Sequence, residues 1–466
     1  MSEHALGFDV GLSGVRATVV RDDGVLVAGA RRPHQRARMG DGIAEHDPAD
    51  WLQGVAAAGR EAVNAAGRAR IAGVGVAGLG PAPVLVDEDL RPLTTAPLFG
   101  LDRRAESQRR RMVADAETLD NPLPKLAWWI EHEPELATRA AWALDATGFV
   151  VATLTGRPVM DSITARDYAL PGWGPPVPLP APVDPIGIAG ELGSDWAARL
   201  GLRPGLPVAV GTYDSFVDIA AAGVRRPGDS GLVLGRTMII CRATQGGVDP
   251  PARMGVSAYP GEGQLVGGWT LSGGGVLDWF SSRFGAGEDL ARAAAATTAA
   301  EPSDVLALPY INGERTPLWN PLARGALIGL TPQTGPTEVY RALVDSLALA
   351  VLDHADRLEE ALGPCSAWRA TGGGTRNRLW AQATADALGA TLEVAPDAAD
   401  GVGPALLALR VLGADPERRT AGTVEPDPRG SERLRRLLPA FRDLGRLTSP
   451  VVQDLLAARQ TEQTIR

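Results

Sequence analysis

Apolar residues alternate with small or polar ones along His4–Val10, Val15–Arg21 and Gly24–Ala30. Gly11–Gly14 and Asp22-Asp23-Gly24 supply turn chemistry between these segments, so the period of two predicts a meander of three short strands. Asp47-Pro48 then opens a helix through Trp51 to about Ala66, with Asp as cap and Pro in the first turn. Ile71–Ala77 reads as a fully apolar strand, and Val84–Val86 begins another before the turn Asp87-Glu88-Asp89. Helical spacing follows at Arg104–Ala114, Pro124–His132 and Ala143–Leu154, and the proline-dense stretch Pro171–Pro185 reads as a loop. From Asp229 to Ile240 the strand–turn–strand pattern of Leu6–Val20 returns. Helices are then expected at Gly275–Phe284, Asp289–Ala300, Pro336–Leu362, Arg376–Leu388 and Gly401–Leu412. The pattern is a weak internal repeat: two α/β halves meeting near Gly223–Asp229, with the cleft between them the natural place for a ligand. The expected boundaries are residues 1–226, 227–448 and a helical or frayed tail 449–466.

Composition narrows the chemistry. The chain has 466 residues, 45% hydrophobic and 22% charged, enough for large cores in two to four ordinary domains. A net charge of −9 argues against nucleic acid or an anionic membrane as partner. Among 46 basic residues Lys125 alone is lysine. No Gly-Lys-Ser/Thr phosphate loop exists, and Lys125 sits in a Pro-Lys-Leu context unsuited to a Schiff base. Cys241 and Cys365 have neither disulfide-framework nor metal-ligand spacing. The Trp128-Trp129 pair reads as packing, and Arg109-Arg110-Arg111 as a solvated helix face. The first residues lack a basic and apolar leader pattern, and no apolar run reaches a bilayer's width, so the expectation is a cytoplasmic protein.

Four loops carry candidate chemistry. In Asp9-Val10-Gly11-Leu12-Ser13-Gly14-Val15-Arg16, two glycines let backbone N–H groups approach a phosphate and Ser13 adds a hydroxyl. Asp9 at the strand end could hold a divalent metal through water. The same residues also suit an ordinary Asp/Gly turn. In Gly211-Thr212-Tyr213-Asp214, Asp214 lies at a strand end before an Ala-rich helix, where it could be a general base or a plain helix cap. Thr371-Gly372-Gly373-Gly374-Thr375-Arg376-Asn377 and Ser272-Gly273-Gly274-Gly275 each place glycines before a helix, allowing a ligand to lie against backbone. Neither is a Gly-x-Gly-x-x-Gly dinucleotide fingerprint.

Taken in order, these pieces resemble the FGGY family of carbohydrate kinases from end to end. Asp9–Arg16 is similar to its first phosphate loop, and Glu45-His46-Asp47-Pro48 with Trp51 to its E-Q-D-P-x-x-W segment. Asp102, Arg104 and Ala105 match its D-x-R-A sugar region, and Gly211–Asp214 with Asp218 its G-x-x-D-x-x-x-D segment. Pro309–Pro317 followed by Pro321 and Ala323-Arg324-Gly325 resembles its P-Y-x-x-G-E-R-T-P … P-x-A-R-G stretch. Gly372–Gly374 with Gln382 and Ala385-Asp386 resembles its adenosine segment. The resemblance implies an α/β protein of two actin-like (ribonuclease H-like) ATPase domains flanking a central cleft. It implies ATP and Mg²⁺ as cofactors and a sugar or polyol as substrate, in a xylulokinase-like transfer of phosphate to a primary hydroxyl. A homodimer is compatible with it. Asp214 would be the base, Asp9 and Asp214 would attend the metal, and Asp102, Arg104 and Asp214 the sugar. Gly11, Ser13, Arg16, Gly235, Arg236, Thr237, Gly274, Gly373, Gly374 and Asn377 would surround the nucleotide.

Three departures set this chain apart. Leu12 replaces the family's usual Thr; Leu234-Gly235-Arg236-Thr237 replaces Leu-Gly-Thr-Ser; and Leu79-Gly80-Pro81 stands where xylulose kinases have Gln-Met-His. Leu12 and Arg236 raise a second reading, a catalytically impaired relative that binds sugar or nucleotide as a sensor. Arg236 is either a new phosphate contact or an obstruction.

Overall fold

A computed structural model describes residues 3–35, 38–40, 42–112, 121–251, 253–259, 263–284, 304–396, 401–414, 416 and 420–464. The chain divides into two compact units: Met1–Ala221 with Ala258–Glu262 and Asp397–Arg419, and Ala222–Ser257 with Gly263–Pro396 and Thr420–Arg466.

In the first unit, β1 (His4–Gly11) and β2 (Gly14–Arg21) form the expected hairpin, with Asp9 opposite Arg16 and Gly11 opposite Gly14. β3 (Leu26–Pro33) extends it antiparallel. On the other side of β1 lies β4 (Ile71–Gly78), parallel, with Asp9 opposite Ala77. Parallel neighbours need a crossover, and α1 (Pro48–Ala65) is part of it; Asp47 caps this helix by accepting from the Ala49 N–H. Trp51, Val55, Ala58 and Ala62 recur at helical spacing and are buried. Gly54 and Gly59 let α1 approach closely: a Cβ there would lie 2.6 Å from Val15 and 2.6 Å from Leu200, respectively. β5 (Ile188–Glu191), β6 (Pro207–Ala209) and β7 (Thr212–Tyr213) complete a seven-stranded sheet of order β5-β6-β4-β1-β2-β3, with β7 beside β4. The segment read as one helix over Ala143–Leu154 is instead a strand, Trp142–Leu144, followed by α2 (Ala146–Thr155). Asp145 divides them by capping α2, which a continuous apolar run conceals.

The second unit repeats the arrangement. β8 (Ser230–Leu234) and β9 (Met238–Thr244) form an antiparallel hairpin, with β10 (Gly255–Ala258) and β11 (Gln264–Trp269) beyond it. β12 (Ala367–Thr371) lies parallel to β8, and β13 (Thr391–Val394) and β14 (Gly422–Val424) finish a second seven-stranded sheet, order β10-β11-β9-β8-β12-β13-β14. α3 (Asp214–Ala221) closes the first unit's main segment; α4 (Gly274–Phe284), α5 (Pro336–Leu362) and α6 (Arg378–Leu388) belong to the second. The helix expected at Asp289–Ala300 lies outside the described residues.

One segment departs from the expected order. α7 (Gly403–Val411), read as part of 227–448, packs on the first sheet and belongs to the first unit. Gly7 and Gly75 make room for it: a Cβ would lie 2.3 Å from Ala405 N and 1.9 Å from Pro404 O. The tail expected at 449–466 is continuous with α8 (Pro428–Thr464), whose Leu434, Leu438 and Phe441 are buried. Among the described residues no helix is long and apolar enough to cross a membrane.

Candidate active site

The first unit gathers an acidic cluster where β1 ends and α3 begins. Asp9 accepts from Arg16 Nη1 at 3.4 Å, while its other oxygen, Oδ1, is buried without a protein partner among the described residues. Asp214 opens α3 and accepts from the Ser215 N–H at 2.6 Å. Burial pushes its carboxyl up to about 7; Asp9 adds to the rise, and the Ser215 bond and Arg16 oppose it. Burial, then Asp9 and Asp214, lift Asp218 well above the usual carboxylate range. Burial raises Asp9 too, against the pull of Arg16 and Arg31. Gly401, just before α7, leans on this cluster: a Cβ would meet Arg16 Cδ at 3.3 Å and Asp9 at 3.4 Å, and its φ is 76°. Thr18 Oγ1 donates to the Gly401 carbonyl at 3.0 Å, fixing that approach. The sequence reading missed Gly401 as part of the site; its only signal is a glycine pair, Gly401 and Gly403, flanking one residue ahead of a helix.

Burial raises all three carboxyls, a cost that a cation at this point would offset, and Asp9 Oδ1 is an oxygen with no protein partner among the described residues. That fits a Mg²⁺ ion held by one or two carboxylates, with water and phosphate completing its shell. Among the described residues no three His, Cys, Asp or Glu side chains form a metal-holding group, so the cluster is no closed cage.

The backbone bearing Asp214 is clamped from behind. Thr212 Oγ1 donates to Asp161 at 2.8 Å, and the Thr212 carbonyl accepts from Thr147 Oγ1 at 3.0 Å. Gly211 has φ 75°, and a Cβ would lie 2.0 Å from Val76 O, so this turn admits only glycine. Tyr213 packs over Gly80, where a Cβ would lie 1.8 Å from its ring. The ring thus occupies the space that a side chain would need in the Leu79-Gly80-Pro81 turn.

The β1–β2 hairpin places the Gly11–Gly14 turn at the end of the strand that carries Asp9. Ser13 Oγ accepts from Arg31 at 2.8 Å, the Gly11 carbonyl contacts His34 Nε2 at 2.8 Å, and Leu12 is exposed. Asp102, Arg104 and Glu45 form a separate cluster. Asp102 is fully enclosed and spends both oxygens on the chain, accepting from Ala44 N, Arg104 N, Nε and Nη2 at 2.8–3.1 Å. It therefore holds Arg104 in place rather than presenting a free oxygen. Arg104 also pairs with Glu45 and lies 5.4 Å over the Trp128 ring, which gives part of the Trp128-Trp129 pair a role beyond packing.

In the second unit the glycine loops nest on one another. Gly274 N–H donates to Gly235 O at 2.8 Å, Gly275 N–H to Arg236 O at 3.1 Å, and Gly235 N–H to Thr237 O at 3.1 Å. A Cβ at Gly374 would lie 2.2 Å from the buried Trp380 ring, whereas Gly373 faces open space. Trp380 Nε1 and Thr371 Oγ1 are buried there without partners among the described residues. Arg236 is 75% exposed and only 3.9 Å from Asp278, so its side chain does not fill the loop. Asn377 caps α6 by accepting from Trp380 N–H at 3.2 Å and donates to Tyr340 at 3.0 Å. Gln382 and Asp386 bind each other and the 425–427 backbone, a structural use. Glu314, part of the Pro309–Pro317 motif, is buried and pushed up to about 7 by that burial; it accepts from Leu271 N–H at 2.6 Å and steadies the Ser272 loop.

Residues 4–168 match the FGGY family of carbohydrate kinases, N-terminal domain, and residues 230–412 its C-terminal domain. A xylulose kinase of Escherichia coli (strain K12) is 28% identical over 442 residues, covering 89% of this chain and 90% of the other. A gluconokinase of Bacillus subtilis (strain 168) is 23% identical, covering 96% of each. The crystal structure of xylulose kinase from Rhodospirillum rubrum superposes with a TM-score of 0.82 at 26% identity, covering 97% of this chain and 100% of that one.

Proposed function

The chain belongs to the FGGY family of carbohydrate kinases, and on that premise we propose that it moves the γ-phosphoryl group of ATP to a primary hydroxyl of a ketose or polyol, with Asp214 as base. The observation that carries this reading is Asp214 itself: half-buried, beside Asp9, and raised to about 7, where a carboxylate can take a hydroxyl proton near neutral pH. Thr212, held by Asp161 and Thr147, fixes the strand that presents it. Asp9 and Asp214 would hold Mg²⁺, which when bound neutralises charge on the transferring phosphate. Gly11, Ser13 and Arg16 would meet phosphate oxygens from the first unit. Gly235, Arg236, Thr237, Gly274, Gly373, Gly374 and Asn377 would border the nucleotide in the second. With no lysine in these loops, backbone N–H groups, hydroxyls and arginine do the anchoring. Arg104, steadied by Asp102, would face the sugar.

A coupled ADP-release assay over a panel of ketoses, polyols and aldonates tests this. Sugar-dependent ADP formation with a ketose or polyol is expected. Measurable ATP or sugar binding with no turnover on any member would instead favour the sensor reading.

A further inference from the structure

In the second unit, α8 and two loops border a partly open cavity of about 180 Å³. Arg253, Arg324 and Arg446 line it with Asn320, Thr448 and Ser449, and no acidic side chain among the described residues does. Arg446 has a carboxylate partner, Asp443, on its own helix. Among the described residues the other two guanidinium groups donate to carbonyl oxygens alone: Arg253 to Leu318 at 3.0 Å and Pro317 at 3.5 Å, Arg324 to Ala323 at 2.8 Å and Pro321 at 3.2 Å. Those bonds fix direction while leaving positive charge unneutralised.

The backbone around the cavity is strained in two places that grip each other. Arg253 has φ 66° and Trp319 φ 49°, both left-handed, a region that residues with a Cβ rarely adopt. Trp319 Nε1 donates to the Arg253 carbonyl at 3.1 Å. Such outliers persist where the surroundings over-determine them, and they gather at ligand clamps. Asn320 Nδ2 donates to Ser449 Oγ at 3.1 Å, which leaves the Ser449 hydroxyl proton free to turn toward the cavity.

We propose that this cavity is an anion site for a small phosphate monoester, separate from the nucleotide loops. Guanidinium forks match phosphate oxygens. A void of roughly 150 Å³ takes a benzene-sized guest, so this one has room for a phosphate on a short carbon chain. Its walls come from residues near 253, 310–324 and 445–452, so a bound anion ties α8 to two distant loops.

Thermal unfolding of the full chain tests it, in chloride, inorganic phosphate and glycerol phosphate at matched ionic strength. A phosphate species is expected to raise Tm by roughly 2–4 °C over chloride, and R324Q to remove that gain while keeping its own Tm in chloride and its basal activity. Phosphate bound at the catalytic loops persists in R324Q, so the difference between the two proteins reads the cavity. Should R324Q fold poorly, R446Q on the exposed face of α8 carries the same comparison. An equal rise in wild type and both variants, or an equal rise in chloride, overturns the proposal. A gain with glycerol phosphate alone identifies the carbon chain as part of the ligand, and an equal gain with inorganic phosphate assigns recognition to the phosphate group.

Discussion

Asp145→Asn isolates the energetic consequence of a buried acid that takes no part in the proposed chemistry. Asp145 caps α2, accepts from Ala82 N–H at 3.1 Å with both oxygens, from Ala146 N–H at 2.9 Å, and from the Tyr168 hydroxyl at 3.3 Å. Burial nevertheless pushes its carboxyl from 3.8 up to about 7, outweighing those bonds, with Asp161 adding to the rise. A carboxyl whose pKa is higher folded than unfolded binds more protons in the folded state. Its contribution is thus fully present below the unfolded value of 3.8, declines as pH rises, and levels off above about 7. At about 1.4 kcal/mol per unit, the decline from pH 5.5 to 7 amounts to roughly 2 kcal/mol. Asn keeps an acceptor for Ala82 and Ala146 but does not titrate. Urea unfolding across about pH 5.5–8.5 should show wild type losing roughly 2 kcal/mol more than the variant, with the whole difference below pH ~7.5. If the two stability curves run parallel over that range, Asp145 is ionised throughout and the burial argument is wrong.

Asp214→Asn should lower turnover by about 10²–10⁴-fold, the usual worth of a positioned base, with ATP affinity little changed by titration calorimetry. A variant retaining a tenth of the rate would remove Asp214 from that role. Because Arg236 points outward, Arg236→Thr should raise KM for ATP a few-fold and leave KM for sugar alone. A lower KM with faster turnover would show that the arginine obstructs. Gly374→Ala forces a methyl to 2.2 Å from the Trp380 ring and 2.7 Å from Leu234 O; overpacking of this kind costs roughly 1–3 kcal/mol. The expected result is a lower Tm together with weaker ATP binding, and an unchanged Tm would refute the close nesting of these loops.

The features legible in the sequence were those written in local chemistry. Asp22-Asp23-Gly24, Asp47-Pro48 and the glycine runs mark turns and caps directly, so β1–β3 and α1 lie close to their expected ends. The repeat was visible because each half opens with the same hairpin, and the structure adds the parallel strand beside each, β4 and β12. What escaped was non-local. Nothing in residues 401–412 announces that this helix fills the hollow left by Gly7 and Gly75, nearly 400 and more than 300 residues earlier. Strands β5, β10, β13 and β14 are too short for a period to register and exist through their partners. Asp102 is expected at the sugar through its match to the D-x-R-A segment, while its enclosure by Ala44 and Arg104 is a property of packing that no motif shows.

The most direct test of the central claim is a ³¹P NMR spectrum of the protein incubated with ATP, Mg²⁺ and its best ketose or polyol. Transfer to a primary hydroxyl predicts loss of the γ-phosphate signal and growth of a monoester resonance split into a triplet by the two protons of the carbinol carbon, in step with ADP. Inorganic phosphate as the only new signal, a doublet from a secondary carbon, or an unchanged ATP spectrum would contradict it.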